Sequence, residues 1–153
     1  MNFRSVLTPT CTRVLESTSS KKRLLDTLSE LIAKTHVGID QRSLFDQLMV
    51  RERLGSTGLG EGVAIPHCRL VGRTEAVGAF VKLDKPVDFD APDGVPVNLI
   101  FVLVVPEHAN KLHLELLARL AQVFGDDANR RALRACTTDV ALHEKLFTLL
   151  GTQ

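Results

Sequence analysis

The sequence predicts a layered α/β domain built on a mixed sheet, and three observations carry that reading. Two segments with helical spacing stand near the start of the chain and three close it, while short β-branched runs lie between them. One of those runs, Val97 to Val105, is apolar almost without interruption, as a central strand covered on both faces by helices must be. A length of 153 residues with 44% hydrophobic and 24% charged residues suits one domain, spanning 1–153, that buries its own core.

The elements follow in order. After an irregular start through Ser19, Ser20 caps a helix whose apolar residues Leu24, Leu25, Leu28, Leu31 and Ile32 share one face. Gly38 stops it, and Asp40 caps a second helix, with Leu44, Phe45, Leu48 and Met49 inward, that reaches about Arg53. Residues 55 to 62 read Gly-Ser-Thr-Gly-Leu-Gly-Glu-Gly, a loop that needs unusual dihedrals or close approach. Val63 to Ile65 is a short strand ended by Pro66, Ala76 to Leu83 a second, and Val87 to Phe89 a brief third. Pro92-Asp93-Gly94 is a turn before the core strand. Asn110 then caps a helix to about Phe124, Asp126 to Ala135 forms a shorter one, and Asp139 opens a last helix through Leu150.

Composition excludes several functions. Nineteen Lys and Arg against 18 Asp and Glu leave a formal charge of +1, with no large field to hold nucleic acid. No apolar run approaches the length of a membrane span, and the first residues lack the pattern of a secretion signal. Three widely spaced cysteines argue against a disulfide framework and for a reducing cytoplasm. Without Trp or Tyr, stacking on bases or sugars is a poor candidate.

The glycine loop fails the nucleotide tests. Gly62 is followed by Val63 and Ala64 rather than Lys and Ser or Thr, and Gly58, Gly60 and Gly62 alternate into a strand instead of opening a helix. The loop leads to His67, mounted where a strand opens towards solvent. His113 shares a helix face with Leu116, Leu117, Leu120 and Phe124 and points inward, which fits a core histidine as well as a phosphate contact. Arg51 and Arg53 end the second helix just before the loop, where one guanidinium can reach a phosphate near His67 and the other is a solvated charge. A zinc site from His67, Cys68, His113 and Glu61 lacks paired ligand spacing, and a Cys68–His113 nucleophilic pair lacks an identifiable oxyanion hole.

Read as one string, Arg51-Glu-Arg-Leu-Gly-Ser-Thr-Gly-Leu-Gly-Glu-Gly-Val-Ala-Ile-Pro-His67 resembles the active-site signature of IIA components of the phosphoenolpyruvate-dependent phosphotransferase system. It is most similar to the nitrogen-regulatory branch of the fructose/mannitol class. The similarity continues through Ser20-Lys-Lys-Arg23, Ala91-Pro-Asp-Gly94, Leu103-Val-Val-Pro106 and His113-Leu-Glu-Leu116 and spans essentially the whole chain. The resemblance implies a mixed, about five-stranded sheet between helices. It implies that His67 is phosphorylated, that His113 is the second active-site histidine, that Arg51 steadies the phosphoryl group, and that Ser56, Thr57 and Glu61 line or shape the site. It further implies a transferase component rather than a stand-alone metabolic enzyme, and a phosphorylated HPr-like carrier as donor. Phosphorylation state would then control binding to regulated target proteins.

Histidine suits a relay, because neutral imidazole is a competent nucleophile and its phosphorus–nitrogen bond stays reactive. A loose transition state needs positioning and charge stabilisation, which Arg51, His113 and loop amides between Gly55 and Gly62 can supply without metal or nucleotide. Two alternatives remain: a sugar-transport IIA that passes phosphate to a IIB partner, and a non-catalytic binding module. One departure stands out, since Cys68 occupies a position that the family usually fills with glycine. If that glycine serves a positive φ, cysteine there is strained, and if it leaves room for the partner, the thiol alters docking; a thiol beside the nucleophile also invites an oxidant-sensing reading, which needs a lowered pKa.

Overall fold

The computed structural model describes residues 3–109 and 111–151, with Leu112 by its backbone alone. Helix α1 (Phe3–Val6) and a short 3₁₀ turn (Pro9–Cys11) lead into strand β1 (Thr12–Leu15). Helices α2 (Lys21–Thr35) and α3 (Gln41–Arg53) follow, then β2 (Gly58–Gly60), β3 (Val63–Ala64), β4 (His67–Leu70), β5 (Val77–Val87) and β6 (Val97–Pro106). Helices α4 (Lys111–Phe124), α5 (Asp127–Arg134) and α6 (Asp139–Leu150) end the described chain. The caps fall where side-chain chemistry demands. Ser20 Oγ accepts the Arg23 N–H at 3.1 Å, Asp40 accepts that of Ser43 at 3.0 Å, and Asp126 accepts that of Ala128 at 2.8 Å. The expected cap at Asn110 lies outside the described residues.

The sheet runs β1-β5-β6-β3-β2, with β4 also paired to β6. β5 and β6 are antiparallel, whereas β1, β3 and β4 run parallel to their partners, so the sheet is mixed. β3 and β4 are one strand column, because Val63↔Leu99 and His67↔Leu103 keep the same register offset. Six segments therefore fill five positions. Pro66 was expected to end this strand; instead it removes one donor from the ladder, its carbonyl accepts the Leu103 N–H at 2.9 Å, and pairing resumes at His67.

The start of the chain is likewise more ordered than the irregular segment expected from its sequence. β1 is too short and too polar to declare itself, yet it adds in parallel to β5 at the edge of the sheet. There the Val14 N–H donates to Asp139 Oδ1 at 2.7 Å, Arg13 Nη1 meets the same carboxylate at 3.3 Å, and Thr12 Oγ1 lies 2.8 Å from His143 Nδ1. Nor is Val87 to Phe89 a separate strand. β5 continues to Val87 past an irregularity after Lys82, and Phe89 is buried beyond its end.

Helices α2 and α3 cover one face of the sheet and α4 to α6 the other. The core centres on β6, whose residues Leu99 to Val104 are all fully buried. On the α4 side the Phe80 ring packs 6.0 Å from that of Phe101 and 5.7 Å from that of Phe124. Gly78 makes room for this stack, since a Cβ there would stand 2.9 Å from Phe101 Cε1. Lys82 is buried in an otherwise apolar strand because its ammonium donates to the carbonyls of Arg134 at 3.0 Å and Cys136 at 2.5 Å, where α5 ends and helix carbonyls lack partners.

Candidate functional site

Among the described residues no further strand pairs with β4, and its outer edge borders open space between α3 and α4. That space forms a cleft of about 380 Å³ between the end of α3, at Val50, Arg51 and Leu54, and the start of α4, at His113 and Leu117. His67 lies on its floor. A second cleft of about 380 Å³ adjoins the first, bounded by Ser56, Thr57 and Leu59, and both share Arg51, His67 and Leu117. Sequence positions 51, 67 and 113, separated by a loop and a sheet, thus converge on one surface depression.

The backbone sets the state of the His67 ring. Its Nδ1 is 2.8 Å from the Ile65 carbonyl, and a carbonyl can only accept, so Nδ1 carries a proton and in the neutral ring the lone pair is on Nε2. Arg51 is held by one donor, Nη1 to the Gly55 carbonyl at 2.9 Å, which leaves the rest of its fork available beside the ring. His113 is buried in the wall of the same cleft. Arg53, its companion in the sequence, is exposed and borders neither cleft.

The glycine loop differs from expectation in what its amides do. The Thr57 N–H donates to both carboxylate oxygens of Glu52 at 3.1 Å, the Gly58 N–H to Ser56 Oγ at 3.1 Å, and the Glu61 N–H to Asp93 Oδ2 at 2.9 Å. These amides hold the loop together and are not available to a phosphoryl group. Two glycines do specific work. A Cβ on Gly58 would approach that of Ala91 to 2.9 Å, and Gly62 sits at φ +81° where Arg134 crosses to the Glu61 carbonyl. Glu61 itself is exposed in the β2–β3 turn and lines neither cleft, whereas Ser56 and Thr57 line the second.

Cys68 is extended within β4, so no positive φ is forced on it. Burial pushes its thiol up to about 12, against an ordinary value of 9.0, and that direction opposes oxidant sensing. The reactive thiolate is thereby depleted at neutral pH. Iodoacetamide at pH near neutrality is expected to spare Cys68 in the native protein and to modify it once urea unfolds the chain, read by peptide mass spectrometry. Rapid native labelling would contradict this assignment.

One buried charged side chain beside the site escaped sequence reading: Glu52, flanked by Arg51 and Arg53 as if on a solvated helix end. The signal was present, since position 52 continues the inward series Leu44, Leu48 at four-residue spacing.

Comparison with known proteins decides the family. The family described as phosphoenolpyruvate-dependent sugar phosphotransferase system, EIIA 2, matches residues 5–147. The chain belongs to this IIA family. Among its relatives is the nitrogen regulatory protein of Pseudomonas aeruginosa, 44% identical over 144 residues that cover 94% of each chain. The nitrogen regulatory protein of Escherichia coli is 41% identical over 153 residues, covering 99% of this chain and 93% of its own. The crystal structure of nitrogen regulatory protein IIA-Ntr from Neisseria meningitidis superposes with a TM-score of 0.86 at 41% identity, over 96% of this chain and 97% of that one. IIA membership supports a phosphocarrier role, and the superposition accounts for the mixed sheet between two helical layers. Among the described residues no helix is long and apolar enough to cross a membrane.

Proposed function

We propose that this IIA protein is a regulatory phosphocarrier that accepts a phosphoryl group on His67 Nε2 from a phosphorylated HPr-like protein and controls target proteins through its phosphorylation state. The observation that carries the reading is the Nδ1 bond to the Ile65 carbonyl, which leaves the lone pair of the neutral ring on Nε2, in a cleft bordered by Arg51 and His113.

The chemistry balances without a metal. The Nε2 lone pair forms the new bond to phosphorus as the donor's phosphorus–nitrogen bond breaks, and that electron pair returns to the donor's imidazole. The proton stays on Nδ1, donated to the Ile65 carbonyl throughout, so the product is a phosphoimidazolium whose neutral imidazole is a good leaving group in the next transfer. In this reading Arg51 stabilises charge on the equatorial oxygens, and His113, which shares the cleft, is the second histidine beside the phosphoryl group. The exposed Val50, Leu54, Leu59 and Leu114 around the clefts give a carrier protein an apolar surface on which to seat.

The regulatory rather than sugar-transport assignment is supported by relatives above 40% identity that bear the name nitrogen regulatory protein. Intact-protein mass spectrometry after incubation with phosphoenolpyruvate, enzyme I and an HPr-type carrier tests the first step. An acid-labile gain of one phosphoryl group that requires the carrier is expected. No gain with active donors would remove the proposal.

A further inference from the structure

We infer that Glu52, a buried carboxylate with no contact to the reacting atoms, is a positioning residue that sets the tautomer and orientation of His67. The inference rests on the proposed function above and assigns that site a further residue. It begins from an otherwise unexplained burial. Glu52 is 8% exposed at the end of α3, and charged groups are rarely so buried unless paired. Its carboxylate accepts the Thr57 N–H on both oxygens at 3.1 Å, accepts the Thr57 hydroxyl, and faces Lys21 Nζ at 3.5 Å. That lysine in turn lies 4.4 Å above the Phe89 ring.

What Thr57 does next links this cluster to the nucleophile. The Ile65 N–H donates to the Thr57 carbonyl at 3.1 Å, and the Ile65 carbonyl accepts His67 Nδ1 at 2.8 Å. From the Lys21–Glu52 ion pair a chain of hydrogen bonds therefore runs Glu52, Thr57, Ile65, His67, with the backbone of Thr57 and of Ile65 each joining one bond to the next. Each bond fixes the residue that makes the next. Glu52 holds Thr57, Thr57 holds Ile65 against the second cleft, and Ile65 aims its carbonyl at the ring. The neighbouring Arg51 bond to Gly55 pins the same turn, so residues 51 and 52 brace positions 55 to 57 from opposite polarities. Only with the Ile65 carbonyl in place is the proton kept on Nδ1 and Nε2 left open, because an unrestrained imidazole exchanges between its two tautomers.

The test measures the ring as well as the rate. Nitrogen-15 NMR of the unphosphorylated wild type in mildly alkaline buffer is expected to show His67 protonated at Nδ1. Glu52→Gln, which loses acceptor capacity while keeping size, is expected to populate the Nε2–H form and to slow phosphorylation on the order of tenfold. The KM for the carrier should not change, since the docking surface is untouched. Thr57→Val, which loses the hydroxyl bond to Glu52 and keeps the main-chain bonds, should shift the tautomer in the same direction by a smaller factor; this variant serves if Glu52→Gln fails to fold. A folded Glu52→Gln or Thr57→Val protein with the wild-type tautomer and rate would overturn the inference. A wild type that never takes up phosphate would sink the proposed function instead, while the tautomer measurement would still decide for or against Glu52.

Discussion

His67→Ala is expected to accept no phosphoryl group from the carrier while remaining folded. The effect on chemistry is complete because the two clefts offer no second nitrogen in equivalent surroundings: His113 is buried in the cleft wall, and Arg51 is cationic and not nucleophilic. The effect on stability is small because the ring is only partly buried and makes one backbone hydrogen bond, worth about 1 kcal/mol. The two outcomes are read together, from intact mass after incubation with donors and from the urea midpoint. A variant that still gained an acid-labile phosphoryl group would place the acceptor elsewhere.

Phe101→Ala should produce the largest loss of stability, about 3–5 kcal/mol. The ring lies in the middle of the central strand, fully buried, against Phe80 on β5 and, through it, Phe124 on α4. Few routes of collapse are open. β6 is hydrogen-bonded on both sides, and Gly78 opposite has no side chain that could move into the void. Since whole domains are stable by only about 5–15 kcal/mol, the variant should unfold at a much lower urea concentration with little change in the slope of the transition. A midpoint shift corresponding to less than about 1 kcal/mol would show that the stack is not a principal support.

The helices could be read before the structure was known because their ends are local chemistry: Ser20, Asp40 and Asp126 each satisfy an amide within their own turn. β1 could not, since Thr12 to Leu15 become a strand only by pairing with β5, a partner some 68 residues further along the chain. Pro66 misled for a related reason. Proline costs a ladder its donor, but whether that ends a strand depends on the neighbour's register, which continues unchanged from β3 to β4. At the site, His67, His113 and Arg51 were legible as a signature, and the clefts bring them together. The roles of the loop amides were not legible, because the competing acceptor is Glu52, a buried acid between two arginines. Nor does any residue pattern announce that a main-chain carbonyl two positions upstream holds the imidazole.

The Asp139 carboxylate, which holds the Val14 amide and the Arg13 guanidinium, bears on how this molecule behaves in a crowd of its own copies. A sheet margin with free amides is a template on which another chain can crystallise strand by strand. At the β1 margin an incoming backbone would have to displace an anion already bonded to the amide, trading a charge-assisted bond for a neutral one. Self-association through that side is thus discouraged by a single side chain of α6. The opposite region, beside β4, is left for chosen visitors.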